Sequence, residues 1–406
     1  MAAQGIAKTV AYKKQAGLGT AASGAGGQYL RTRTASLSMP ADKYINDERT
    51  SHRQSTGDTA GIRRGTGKIS ALLSPGTYAD WFASLIKKAW AVPYAPIALA
   101  ATTLAVAVSG SNYTLTRSAG SWLTDGVKVG DVIRLTGAGL NADAINKNLV
   151  VLSMTATVLT VRPVNLSTIT ASAASANATI TFPGKKTFAP LTGHTDDWYT
   201  LEEFYTDLAR SELWPDTRIQ QAAVGISATG NVSLDWDVIP LRRVRGASQV
   251  LTTPAAESSS TVVAAINLFL MVGSTLTPVT GLQLTIASGD SPGEPETGGN
   301  GISDVAKGVL AVSGQFTAKF NHTTFQDAYD DQTPVSLFGV IATDATGLAD
   351  FVTFVLPRVK LFNDAPDDGK KEIIRTYPFT AEIPPTGGAG VANERAIVSI
   401  QDSLAP

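Results

Sequence analysis

Cysteine is absent from the 406-residue chain. That excludes disulfides, thiolate nucleophiles and zinc sites built on sulfur. Histidine is nearly absent, with only His52, His194 and His322. None has a partner at catalytic or metal-ligating spacing, so all three read as surface residues. Charge is sparse at 17% and balanced, for a net of −1. A dedicated nucleic-acid binder held by phosphate contacts is therefore not expected. No apolar run approaches the length of a membrane-spanning helix. The first residues, MAAQGIAKTVAYKKQAG, lack a continuous apolar stretch and do not read as a signal peptide. Synthesis in the cytoplasm is the expectation.

Catalytic signatures are missing as well. Gly65-Thr66-Gly67-Lys68 matches part of a phosphate loop, but Ile69 stands where a hydroxyl must hold magnesium. Ser74-Pro75-Gly76 is not a nucleophile elbow. The pairs Asp196-Asp197, Asp330-Asp331 and Asp367-Asp368 lack the alternating ligand spacing of a calcium loop and read as solvated turns. Arg242, Arg243 and Arg245 form a small basic cluster, best read as a charged linker. No catalytic, cofactor-binding or metal site is expected, and no enzyme.

What the chain has is apolar residues at 43%, 37 glycines and many Ser, Thr and Val residues. Those favour a mainly β protein with a substantial core. One unit occurs twice. From Thr34, residues Ala35, Leu37 and Met39 alternate. A polar loop follows (residues 40–65), then Ile69, Ala71 and Leu73 alternate and an amphipathic helix opens. From Gly281, the same order returns: Leu282, Leu284 and Ile286, a polar loop (287–312), Phe316, Ala318 and Phe320, then a helix. The offset is a constant 247 residues, which aligns Gly67 with Gly314, Tyr78 with Phe325 and Asp80 with Asp327. Ser74 and Asn321 align as expected N-caps. The first helix carries Tyr78, Trp81, Phe82, Leu85, Ile86 and Ala89 on one face, with Lys87 and Lys88 in its last turn. The second is expected from about 322 to 331, stopped by Thr333-Pro334. Strict register across strand, loop, cap and helix indicates an internal duplication.

Residues 93–190 interrupt the first copy with short strands (Tyr113–Arg117, Val127–Leu135, Leu149–Met154, Val158–Val161) and read as an inserted small β-barrel or sandwich. The expected organisation is a first domain at 1–92 and 191–245, the insert at 93–190, and a second domain at 246–406. Residues 1–33 read either as a disordered tail or as an arm that orders on a neighbouring subunit. Trp198–Leu208 is ambiguous between strand and helix. A hairpin is expected around Gly230, a connector over 241–260, and strands at Val335–Ile341, Phe351–Leu361, Glu372–Ile383 and Ala396–Gln401. Asp364–Gly369 and Pro384–Gly390 read as turns.

Several stretches resemble the major tail tube proteins of bacteriophages with long, flexible, non-contractile tails. They are the start at Ala2–Gly27, GKISALLSPGTYADWFASLIKKAW (67–90), YTLTRSAGSWLTDGVKVGDVIRLTG (113–137), GHTDDWYTLEEFYTDLARSE (193–212), VTFVLPRVKL (352–361) and ERAIVSIQD (394–402). The resemblance implies β-sandwich domains with a flanking helix, rings closed by inner strands around a lumen, and stacking through long loops and arms. It also implies a place in the virion tail and passage of genomic DNA without specific binding. The implied partners are further copies of the chain, a tape measure protein, and tail terminator or distal tail proteins, with no membrane and no cofactor. A duplicated fold implies three subunits per ring, with six the alternative. The insert would sit outside the tube and be dispensable for assembly. The lumen would be lined by Lys68, Ser70 and Leu72 with Gln315, Thr317 and Lys319, or by the opposite faces, with few clustered cations. A second reading of the β-rich composition is a tail adhesin that binds a receptor or glycan.

Overall fold

The computed structural model describes residues 4–54, 57–99, 102–137, 139–273, 275–321, 323–367 and 372–406. His322, Asp368 and the end of the Asp364–Gly369 segment lie outside these; within that segment Ala365–Asp367 form a strand rather than the expected turn. The fold is mainly β. Two α-helices occur among the described residues: α1 (Ala79–Ile86) and α2 (Thr324–Asp330).

The main strands of the first half are β1 (Lys8–Lys14), β2 (Thr34–Ser38), β3 (Thr66–Leu72), β4 (Tyr199–Tyr205), β5 (Arg210–Ser227), β6 (Ser233–Pro240) and β7 (Val244–Gly246). The main ones of the second half are β8 (Leu268–Val272), β9 (Val279–Ala287), β10 (Ala311–Lys319), β11 (Val335–Ala342), β12 (Phe351–Leu361), β13 (Ala365–Asp367), β14 (Ile374–Ala381) and β15 (Ser399–Asp402).

The two halves repeat each other in pairing register. β2 meets β3 with Thr34 opposite Ser70 and Leu37 opposite Gly67. β9 meets β10 with the corresponding residues, Gly281 opposite Thr317 and Leu284 opposite Gly314. β4 on β5 shifts register between Tyr199 and Leu201, and β11 on β12 shifts at the corresponding step, between Val335 and Leu337. β1 on β4, β3 on β6 and β5 on β7 likewise correspond to β8 on β11, β10 on β14 and β12 on β15. Register is fixed by which face is buried, since a slip of one residue turns every side chain over. Shared register, down to a shared irregularity, means that both halves bury the same strand faces.

Four strands from each half form one continuous antiparallel sheet in the order β2, β3, β6, β5, β9, β10, β14, β13. The halves join inside it, where β5 pairs with β9 from Gln221 opposite Ala287 to Ser227 opposite Gly281. β5 has 18 residues, and its irregularity between Ile219 and Gln221 lets it leave this sheet for a second layer. There it lies between β4 and β7. The main core fills the space between the layers.

α1 follows a turn at Gly76, whose φ of 73° suits glycine. Its Tyr78, Trp81, Phe82, Leu85 and Ile86 are buried against Trp236 and its neighbours, with Phe82 and Trp236 ring centroids 4.9 Å apart. Burial of Trp81 or Phe82 contributes about 2–3 kcal/mol each. The second half has a matching aromatic pair: Phe325 of α2 and Tyr377 of β14 are 5.5 Å apart, as Tyr78 and Trp236 are 6.1 Å apart in the first.

The expected caps are corrected. Tyr78 and Thr323 hold the N-cap positions, and neither makes a side-chain cap hydrogen bond. The Ser74 hydroxyl instead meets the Thr77 hydroxyl at 2.7 Å, steadying the turn before the helix. Lys87 ends α1 in the left-handed region at φ 64°, a place usually held by glycine.

Three further expectations change. The stretch read as a projecting arm contributes β1, which pairs along its whole length with β4 of its own chain. Within Trp198–Leu208, Tyr199–Tyr205 is strand, with Tyr199 and Leu201 in the core, and Thr206–Leu208 turn. The inserted segment forms its own eight-stranded sheet over residues 97–181, with a core around Leu115, Trp122, Leu135 and Val161. It is not a free decoration. Val132, Val150 and Val164 on its outer side pack with Phe269, Met271, Phe338, Val340, Phe351 and Val355 of β8, β11 and β12. A Cβ at Gly130 would come within 2.6 Å of Val355, so the contact is too close for a side chain. The insert interrupts the first half in sequence and covers the second half in space.

Candidate assembly surface and channel face

The eight-stranded sheet has one buried face and one open face. On β3, Gly67, Ile69 and Ala71 are buried, while Lys68, Ser70 and Leu72 point away from the core. On β10, Phe316 and Ala318 are buried, and Gln315, Thr317 and Lys319 point away. The face carrying Lys68 and Gln315 is thus the one left open. Glycine at 67 and 314 is required by space, since a Cβ there would lie 2.8 Å from Val238 Cγ2 and 2.1 Å from the Gln283 carbonyl oxygen respectively.

Small and neutral side chains dominate the open face: Ser36 and Ser38 of β2, Gln221 and Ala223 of β5, Gln283 and Thr285 of β9, Ser313 of β10, Thr376 of β14. Its charges are few. Lys68 lies 3.7 Å from Asp237, with Asp235 close by on the same strand. Lys319 pairs with Glu372 at 2.6 Å. The face carries no cation cluster among the described residues.

Where the halves meet, the loop after β9 is tied to the first half by a buried ion network. Asp290 accepts from Lys87 at 2.9 Å and from Arg218 at 2.9 Å. Arg218 also reaches Asp196 at 3.0 Å, and Lys307 pairs with the same carboxylate. Burial pushes Asp196 up, but the hydrogen bonds from Lys307 and Arg218 outweigh it and hold its carboxyl below the usual range. Beside this network lies a cleft of about 610 Å³ lined by Ile86, Leu191, His194, Lys307, Val309 and Ile383. A second tie runs from the last strand to the first helix. Asp402 accepts from the Gly76 backbone N–H at 2.7 Å and from that of Leu404 at 2.8 Å. Burial raises its pKa to about 6.

The residues tested for chemistry in the sequence are dispersed. His52 is exposed in the loop after β2, and His194 lines the cleft. Gly65 to Lys68 enters strand β3 and forms no phosphate loop. Arg242 pairs with Asp216, Arg245 with Glu212 at 2.8 Å, and Arg243 lies over the Trp214 ring. Asp197 pairs with Lys14 at 2.9 Å. No cluster of three metal-ligating side chains occurs among the described residues. The Lys87–Asp290–Arg218 network was missed in the sequence, where Asp290 is one acid in a Gly/Ser-rich loop. The one available signal was lysine at a helix end that lacks glycine.

The arrangement joins strands edge to edge and presents a smooth, near-neutral surface. The family model described as phage tail tube protein matches residues 5–381. No curated protein matches the chain.

Proposed function

Since the chain belongs to the phage tail tube protein family, and is thus a structural subunit of the virion tail, we propose that it builds the tube of a long non-contractile tail as rings of three. The observation that carries this is the eight-stranded sheet made of two register-matched halves. Each chain supplies two equivalent wall segments, so a ring of three would have six-fold pseudo-symmetry. Strands lie about 4.8 Å apart and tilt by about 40° in closed barrels. Three copies, about 24 strands, then give a backbone diameter of roughly 48 Å. Two copies give roughly 32 Å, which side chains narrow to about the width of a DNA duplex.

The open face would line the lumen. With Ser, Thr, Gln and Gly in the majority, and Asp235 and Asp237 beside Lys68, it offers phosphate no ladder of cations. Genomic DNA would pass without being gripped. Rings would stack through the loops after β2 and β9, the first of which exposes Tyr44 and Ile45. A tape measure protein inside and terminator or distal tail proteins at the ends complete the expected partners. The subunit would be made in the host cytoplasm, and the family's structural role fits the absence of an expected catalytic site.

Electron microscopy of the purified protein tests this. Hollow filaments with three subunits per ring are the expected result. Discrete particles that bind glycans would point instead to an adhesin, and six identical chains per ring would overturn the trimer.

A further inference from the structure

The junction between the halves is a template for the junction between chains. Within the chain, the far end of β5 pairs with β9. The second-half counterpart of that part of β5 is β13, which meets β14 as β5 meets β6: Ala365 and Pro366 lie opposite Thr376 and Arg375, as Ala223 and Val224 lie opposite Asp235 and Leu234. The first-half counterpart of β9 is β2. On β13, Ala365 and Pro366 have β14 on one side and, among the described residues, no strand on the other. β2 has β3 alone.

Exposure marks the same two places as incomplete. Leu282, Leu284 and Ile286 of β9 are buried, at 5% or less. Their counterparts Ala35, Leu37 and Met39 are only half-buried against the core. Val224 of β5 is buried, while its counterpart Pro366 is exposed. Each element lacks the neighbour that its counterpart has.

We infer that β13 of one copy pairs antiparallel with β2 of the next, in the register of the internal junction: Ala365 opposite Ser38, Pro366 opposite Leu37 and Asp364 opposite Met39. The inference rests on the tube reading and supplies its missing contact. The occupant is a second copy of this chain, because β9 already shows which strand that kind of edge accepts. The contact is heterologous, with a different surface on each partner, the kind of contact that forms a ring when its rotation closes. Pro366 removes one donor from the edge and disfavours pairing with unrelated strands.

The cysteine-free chain makes a direct test possible. Directly opposite residues approach within disulfide reach, whereas residues two places out of register do not. Two double variants are assembled and oxidised, Ser38→Cys with Ala365→Cys, and Leu37→Cys with Pro366→Cys. Their internal equivalents, Thr285→Cys with Ala223→Cys and Leu284→Cys with Val224→Cys, show which of the two positions has disulfide geometry. The expected result is chain-to-chain linkage, seen as multimers on a non-reducing gel, at the position whose internal equivalent closes within one chain. The out-of-register pair Ser36→Cys with Ala365→Cys should stay monomeric. Tubes visible by microscopy whose in-register pair stays monomeric, or whose out-of-register pair links, would overturn the pairing and leave the tube reading standing. If the unmodified chain forms no rings at all, the tube reading falls and the pairing falls with it.

Discussion

The two halves share a scaffold and differ in what covers its outer side. In the first half Glu202 of β4 is buried and accepts hydrogen bonds from the Ser211 hydroxyl and from the backbone N–H groups of Val250 and Leu251. The connector between the halves is thereby laid over that face. At the corresponding position of the second half stands Phe338, and the cover is the insert with Val132 and Val150. One face is closed by hydrogen bonds to a carboxylate, the other by apolar packing. The core-facing sides stay alike, with Trp236 and Tyr377 beneath the two helices. The difference teaches that strand register is what the copies retain, while the outer surface was free to change.

The largest expected effect comes from removing a cover. Deleting residues 95–182 behind a short linker exposes Phe269, Met271, Phe338, Val340 and Phe351 together. A contiguous apolar patch of that kind favours aggregation. The deletion alone is therefore expected to lose most of the soluble yield, contrary to the expectation from sequence that the insert is dispensable. Adding the first half's residues at three of these places (Phe269→Thr, Met271→Ala, Phe338→Glu) should recover solubility. Soluble, tube-forming protein from the simple deletion would show that the covers are not equivalent in consequence.

Next come the two helix supports. Trp236 touches Tyr78, Trp81 and Phe82, whereas Tyr377 stacks on Phe316 and meets Phe325 edge to face beneath a shorter helix. Trp236→Ala is expected to cost about 3–5 kcal/mol and Tyr377→Ala about 2–4 kcal/mol. Urea unfolding midpoints would rank them, and the reverse order would mean that the second half carries the more tightly packed core.

Much of this was legible and some was not. The β2–β3–α1 unit showed itself because its loop kept one length in both copies. β1, β4, β5, β6 and β7 match β8, β11, β12, β14 and β15 equally well in register, but the insert and connector break the constant offset that would align them. β1 (KTVAYKK) looked like a tail because its partner β4 lies nearly two hundred residues away. The docking of the insert did leave a trace. In Leu149-Val150-Val151 both strand faces are apolar, with Leu149 and Val151 turned to the insert's own core and Val150 to β8, β11 and β12. The free edges are backbone features, on which composition is silent.

A smaller effect separates the ends of the halves. Asp402 ends β15 and holds the Gly76 turn before α1, while its counterpart Ala247, just past β7, carries no carboxyl. Asp402 has a folded pKa of about 6, above the unfolded value of about 3.9. Its protonated form is therefore favoured by folding. This contribution is full below the unfolded value and is lost as pH rises through the folded one. The difference between the two values corresponds to at most about 3 kcal/mol. Stability from this group should thus fall between about pH 4 and pH 6, and Asp402→Asn should flatten that part of the stability–pH curve. An unchanged slope would remove Asp402 from the linkage.

The smallest effect on folding should carry the clearest effect on transport. The open face of the first half has Lys68, Asp235 and Asp237, where the second half has Gln315, Thr376 and Pro378. Asp235 lies opposite Ser70 on one side and Ala223 on the other, so Asp235→Lys places no like charge directly across the sheet. Its side chain is exposed, and the change in stability should stay within about 0.5 kcal/mol. In an assembled tube the same change puts a lysine beside Lys68 in every subunit of every ring. Lysines repeated along the bore attract phosphate and displace counterions, so retention of DNA should depend on salt. Ejection from virions built with Asp235→Lys is expected to be slower than normal at low ionic strength and to approach the normal rate as salt is raised. Unchanged ejection at every salt concentration would mean that this face does not line the path of the DNA, and that the near-neutral surface shared by the two halves serves some other contact.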